Sequence, residues 1–114
     1  MTPDPHLLHS VESVGDGDTI TVLFALGADV FRRARLRLVL IDTPERGDAG
    51  AVEARRYTVA WLAAHPVLIV ALQLTATGRY VETFGRYLAD VYDPGTGDSL
   101  SGALLRDGHA TLWT

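Results

Sequence analysis

Phe31-Arg32-Arg33-Ala34-Arg35-Leu36-Arg37-Leu38-Val39-Leu40-Ile41 is the segment that decides how this chain folds. Its period of two predicts a long strand with Ala34, Leu36, Leu38 and Leu40 on the core side. Arg33, Arg35 and Arg37 then share the opposite face, roughly 6.6 Å apart along it. A slip of one residue would bury all three cations, so the register is well determined. Upstream, Ile20, Val22, Phe24 and Leu26 alternate with Thr19, Thr21, Leu23 and Ala25 to make a second strand. Gly27-Ala28-Asp29 reads as the hairpin joining the two.

Working outward, His9–Val14 is a short mixed stretch before a turn at Gly15-Asp16-Gly17. After the loop Pro44–Gly50, Asp48 is placed to cap a helix running to Ala64, with Ala54, Tyr57, Trp61 and Ala64 along one side. Pro66 ends that helix, and His65 in the last turn suits its dipole. Val67–Leu74 is a nearly continuous apolar run of strand length, Thr75–Thr83 a polar loop, and Tyr87–Tyr92 a last strand. Asp93–Gly97 is a turn, after which Asp98 or Ser99 caps a short helix, Leu100–Asp107, ended by Gly108. The expected fold is mainly β (α+β). It is a five-stranded barrel of the oligonucleotide-binding (OB) type, with one long helix between strands 3 and 4 and a short C-terminal helix.

At 114 residues, 47% hydrophobic and 21% charged, the chain reads as a single domain over residues 1–114. No apolar run approaches the roughly 20 residues of a membrane span, so no membrane partner is expected. Met1-Thr2-Pro3-Asp4-Pro5-His6 shows neither a basic nor a long apolar leader region. A cytoplasmic location is expected if the chain is full length, and a secreted one if it was trimmed. The absence of cysteine excludes a disulfide framework and thiol catalysis. A net charge of −4 argues against a protein that coats nucleic acid through a general basic field. All ten cations are nevertheless arginine, and four of them fall between positions 32 and 37. Arginine grips a phosphate with two parallel hydrogen bonds, where lysine acts as a point charge.

Chemistry concentrates in three strings: Asp16-Gly17-Asp18-Thr19, Asp42-Thr43-Pro44-Glu45 and Phe84-Gly85-Arg86-Tyr87. Two carboxylates able to hold a hard cation, a spare one to act as base, and arginines to clamp an anion suit phosphodiester hydrolysis. Asp16 reads as a turn residue. An EF-hand is excluded, because Ile20 occupies the next ligand position and no Glu lies at the twelfth. Arg33 and Arg35 read first as a solvated strand face, Arg106 as the end of its helix, Gly95-Thr96-Gly97 as a turn and Trp61 as core. The four histidines are too scattered to suggest a metal site.

In this order and spacing, Asp-Gly-Asp-Thr, Arg37-Leu38 followed by Asp42-Thr43-Pro44-Glu45, Gly85-Arg86 with Leu88-Ala89, and Leu104-Leu105-Arg106 with Gly108 and Ala110 resemble the staphylococcal nuclease (thermonuclease) family. The resemblance spans residues 8 to 112. It implies calcium ligands at Asp18 and Asp42 and a backbone-carbonyl ligand at Thr43. It further implies a general base at Glu45 and phosphate contacts from Arg37 and Arg86. Calcium accepts oxygen ligands and tolerates water in several positions, so this small set leaves room for phosphate and water. The implied activity is calcium-dependent hydrolysis of DNA or RNA by metal-assisted attack of water.

The chain departs from the family pattern at the substrate-holding rim. Thr83 and Phe84 stand where a lysine-aromatic pair is usual, Ser101-Gly102 where an Asn-Glu pair is usual, and the sequence stops at Thr114 before a third helix. Arg35, Phe84 and Trp113 are the substrate-binding candidates that remain. The competing expectation is a catalytically weak or inactive OB module that binds nucleic acid or a protein. Val67–Leu74, Leu104-Leu105 and Leu112-Trp113 present more apolar surface than one short helix covers, which predicts self-association (a homodimer) through the C-terminal region around Trp113.

Overall fold

The computed structural model describes residues 4–82 and 84–113. Its elements are β1 (Asp4–Val14), β2 (Thr19–Gly27), β3 (Val30–Leu38), β4 (Ile41–Asp42), α1 (Ala51–Ala64), β5 (Ile69–Gln73), β6 (Tyr87–Tyr92), α2 (Leu100–Arg106) and β7 (Thr111–Leu112). Five strands close a barrel in the order β1-β2-β3-β6-β5, and β4 pairs separately with β7. β3 and β6 run parallel while the other barrel neighbours are antiparallel. This is the expected mainly β, OB-like barrel, with α1 between its third and fourth strands in chain order. Among the described residues no helix is long and apolar enough to cross a membrane.

The alternation read in residues 31–41 holds as far as Leu36, after which Arg37, expected on the outer face with Arg33 and Arg35, is buried too. Ala34, Leu36 and Leu38 are buried, with Ile20, Val22 and Phe24 beside them, while Arg33 and Arg35 are exposed. Val70, Leu72, Ala89 and Val91 extend this core around the barrel, and Trp61, Leu62, Leu100 and Leu104 cover it from the helices. Beyond Leu38 β3 ends, Val39 and Ile41 are buried, and Leu40 is 67% exposed at a left-handed φ of 66°. Leu40 is therefore not a core residue. The chain must reverse within two residues to bring Ile41 back inward, and the left-handed step rotates the intervening side chain out.

Other boundaries also shift. β1 is a full strand from Asp4, because it is the closing member that pairs with both β2 and β5. Asp48 does not cap α1 with its side chain; the cap is Gly50, in the left-handed conformation that glycine adopts most readily. The buried face of α1 is Ala51, Ala54, Thr58, Trp61 and Leu62, with Ala64 exposed. At its end His65 takes the extended conformation imposed by Pro66, stacks on Trp61 with centroids 4.0 Å apart, and shares a 2.6 Å hydrogen bond with the Trp61 carbonyl. α2 is capped by the Ser99 hydroxyl, which accepts from the Gly102 N–H. The apolar surface expected to stand open near the C-terminus is mostly absorbed: Leu68, Val70, Leu72 and Leu104 are buried, and Leu112 and Trp113 remain exposed.

Leu40→Gly should leave stability unchanged or raised by up to about 1 kcal/mol, because it removes left-handed strain and little burial. Leu38→Ala should cost about 2–5 kcal/mol through the cavity it leaves. Urea denaturation of both variants checks this; a Leu40→Gly protein as impaired as Leu38→Ala would show that Leu40 is held in the core.

Candidate functional site

Strand pairing brings the three chemical strings to one end of the barrel. Thr19, first in β2, pairs with Arg37 near the end of β3, and Arg37 pairs in turn with Leu88 near the start of β6. The turn before β2, the segment after β3 and the turn before β6 therefore share a rim. They line a cleft of about 400 Å³ whose walls include Asp18, Arg37, Asp42, Thr43, Glu45 and Arg86. All six residues assigned catalytic or metal-holding roles meet there. Asp16, Phe84 and Trp113 also face the cleft, together with Glu82.

The Asp16–Asp18 turn is held from below by α1. Thr58 Oγ1 donates to the Gly17 carbonyl at 2.6 Å. A Cβ at Gly17 would lie 3.0–3.1 Å from the Ala54 side chain and backbone, so only glycine allows the turn to seat this close to the helix. The Leu38 N–H donates to the Asp18 carbonyl at 2.8 Å, which locks the turn to the end of β3.

Asp18 is buried, and its Oδ2 accepts from the Thr43 backbone N–H at 3.0 Å while lying 3.2 Å from Arg37 Nη1. Thr19 Oγ1 donates to its Oδ1 at 3.2 Å. Arg37 is buried as well, although its side chain leaves the outer face of β3. Nη1 donates to the Leu38 and Ile41 carbonyls at 2.8 and 2.9 Å, and Nη2 donates to Asp42 Oδ1 at 2.9 Å. These acceptors shape the reversal around Leu40. Trp113 covers the guanidinium, its ring centre 5.6 Å away, because β7 pairs with β4 and the Trp113 N–H donates to the Leu40 carbonyl. Burying Trp113 against a second copy would cover this cleft as well.

Asp18, Asp42 and Thr43 are the oxygen-bearing residues of the cleft that could hold a hard cation. Asp42 is 58% exposed by side chain, and among the described residues its Oδ2 has no hydrogen-bond partner. Among the described residues the buried Thr43 Oγ1 has no hydrogen-bond partner. Among the described residues no three acidic or histidine side chains converge as a ready-made metal cage. A cation held by Asp18, Asp42 and Thr43 would keep much of its shell for water and phosphate oxygens, as a weak site does. Glu45, exposed and just past Pro44, lines the same space.

Arg86 is held differently. Its Nε and Nη2 donate to the two oxygens of Glu82, both at 3.2 Å, and its backbone N–H donates to Glu82 Oε1 at 2.9 Å. Burial pushes the Glu82 carboxyl up, but the hydrogen bonds and charge of Arg86, with the Phe84 N–H, outweigh it and hold the group below the usual glutamate range. Glu82 has no counterpart among the sequence-derived candidates. The one signal available was its place four residues before Arg86, a spacing that reads as a helical pair but here spans a turn. Phe84 stands 71% exposed beside Arg86, and Thr83 lies outside the described residues.

Arg37→Ala should cost about 3–5 kcal/mol, since it strands the buried Asp18 carboxylate and two carbonyls. Arg86→Ala should cost less, about 1–3 kcal/mol, because it leaves a partly buried carboxylate that water can still reach. Chemical denaturation separates the two. The Glu82 contribution is present above the unfolded glutamate pKa and is lost as pH falls through the lowered folded value. Glu82→Gln should therefore flatten the acid limb of stability against pH; an unchanged limb would show that the pair is not made in solution.

No protein-family model and no curated protein matches this chain.

Proposed function

We propose that this protein is a calcium-dependent nuclease of the staphylococcal nuclease kind, hydrolysing phosphodiester bonds of DNA or RNA by attack of water. The single observation that carries this reading is the cleft itself. Asp18, Asp42, Thr43, Glu45, Arg37 and Arg86 line, together with Asp16 and Glu82, about 400 Å³ at one end of an OB-like barrel. Oxygen-only ligands, a base and anion clamps are the requirements of metal-assisted hydrolysis.

In this reading Asp18, Asp42 and the Thr43 carbonyl would hold the cation, which polarises the phosphate and lowers the cost of its developing charge. Glu45 takes a proton from the attacking water. Being beyond the stiff Thr43-Pro44 step, it can approach the nucleophile without filling the cation's shell. Arg86 contacts the phosphate while sharing its guanidinium with Glu82. Arg37 supplies the donors left over from its carbonyl and carboxylate contacts, and keeps Asp18 and Asp42 apart at a set distance. Phe84 and Trp113 offer exposed rings for unpaired bases on either side.

A second reading has one specific observation in its favour: both arginines are already bound to carboxylates. A module that binds nucleic acid or a protein without cleaving it would need no free arginine fork.

Nicking of a supercoiled plasmid in calcium, against a chelator, tests the choice. Glu45→Gln keeps the shape but cannot accept a proton, and should lower the rate by about 10²- to 10⁴-fold with calcium affinity nearly unchanged. Half-maximal activity should need calcium on the order of 10⁻⁴ to 10⁻³ M, and magnesium should support slower turnover because its strict octahedron leaves less freedom for phosphate and water together. Activity that survives the chelator would remove the metal-assisted mechanism, and full activity of Glu45→Gln would remove the base.

A further inference from the structure

A second groove, of about 520 Å³, opens beside the cleft and shares Asp16, Thr19, Phe84 and Arg86 with it. What it adds is Gly15, Arg35 and Arg46. Arg35 comes from the outer face of β3 and Arg46 from the loop after Glu45, so the two reach the groove from different elements.

The electrostatic state of the two arginines sets them apart from Arg33, Arg37 and Arg86, which hold carboxylates; Arg32, whose partner is also neutral, does not line the groove. Arg33 is bidentate to Glu12 at 2.7 and 2.9 Å, and Arg32 donates to the Tyr87 hydroxyl at 2.9 Å. Arg37 and Arg86 hold carboxylates. Arg35 instead donates from Nη2 to the neutral Phe84 carbonyl at 2.7 Å, which orients the guanidinium and leaves its charge uncompensated. It reaches that carbonyl by passing Gly85, where a Cβ would sit 3.4 Å from Nη2. Among the described residues Arg46 pairs with no carboxylate. In a chain of net charge −4, two uncompensated cations facing one groove form a local reversal of sign. Asp16 is the one carboxylate on its lining.

We infer that the Arg35–Arg46 groove is a second phosphate subsite, which binds the phosphodiester next to the one lying in the cleft. The chemical class recognised is thus a polynucleotide strand with consecutive phosphates, rather than an isolated phosphate ester. Arg86 and Phe84 form the wall between the two spaces, so a backbone leaving the cleft passes over the Phe84 ring into the groove. A charged groove that follows the backbone beside an exposed aromatic is the arrangement that holds single strands without reading their sequence. The groove also explains how an acidic protein could hold a polyanion: the cations are placed along one path instead of spread over the surface.

This assignment rests on the nuclease reading for the strand's path, but binding tests it apart from hydrolysis. Affinity for a labelled single-stranded oligonucleotide is measured by fluorescence anisotropy in chelator, across a series of salt concentrations. Removing one phosphate-binding cation should lower the slope of log K against log salt by about 0.7 for a single strand. Arg35→Ala with Arg46→Ala should therefore reduce the slope by about 1.4 and weaken low-salt binding roughly tenfold or more. Arg46→Glu, on an exposed loop where folding is not at stake, should weaken it in the same direction. Arg56→Ala with Arg106→Ala removes as much charge elsewhere and should leave the slope unchanged. Equal slopes for the groove variants and the unsubstituted protein would overturn the subsite, as would an unsubstituted protein that binds no oligonucleotide. If the slopes shift as expected but no calcium-dependent cleavage is found, the subsite stands and the hydrolytic reading falls. If cleavage is found with unchanged slopes, the reverse holds.

Discussion

The buried contact between Asp18 and Arg37 is the constraint around which this end of the molecule is built. Taking two ions out of water costs several kcal/mol each, and their attraction repays that only when the remaining donors and acceptors are also satisfied. Here they are. Asp18 receives the Thr43 N–H and the Thr19 hydroxyl, and Arg37 donates to the Leu38 and Ile41 carbonyls and to Asp42. Those partners come from the turn before β2, the end of β3 and the segment through β4. Satisfying the pair therefore determines how three pieces of chain meet, and it accounts for the abrupt left-handed step at Leu40.

The two arginines of the cleft are held to different degrees, and the difference follows from burial. Arg37 sits beneath Trp113 with its donors distributed over backbone and carboxylates, so moving it would disturb the fold. Arg86 sits on a turn, its guanidinium held by one partly buried carboxylate outside the barrel core. A rigid guanidinium beside the proposed cation ligands and a turn-borne one beside the proposed phosphate divide positioning from binding. The uncompensated Arg35 and Arg46 extend the series outward, from a cation locked in the fold to cations committed to no carboxylate.

Much of the fold was legible because a barrel strand with one buried face must alternate, and β2 and β3 do. Ile20, Val22, Phe24, Ala34, Leu36 and Leu38 all lie where period two puts them. The site was legible where function demands residue types that packing would not choose, such as carboxylates ending apolar strands. Legibility ended where a side chain's environment depends on a distant segment. Leu40 looks like the next core residue in its strand, and only the need of Arg37 for the Leu38 and Ile41 carbonyls turns it out. Asp48 looks like a helix cap, but the loop geometry gives that place to Gly50. Glu82 looks like a loop acid until a turn returns Arg86 to it.

The sequence by itself determined the alternating strands, the helix between the third and fourth barrel strands, and the three chemical strings, because each is set by residues close together in the chain. Tertiary structure alone decided that those strings share one rim, that Arg37 is buried while Arg35 on the same strand face is not, and that Trp113 lies over the guanidinium. The reason is that hydrogen-bonded pairing across β2, β3 and β6 and between β4 and β7 joins residues far apart in the chain, and the environment of a charge is set by those neighbours rather than by its own stretch of sequence.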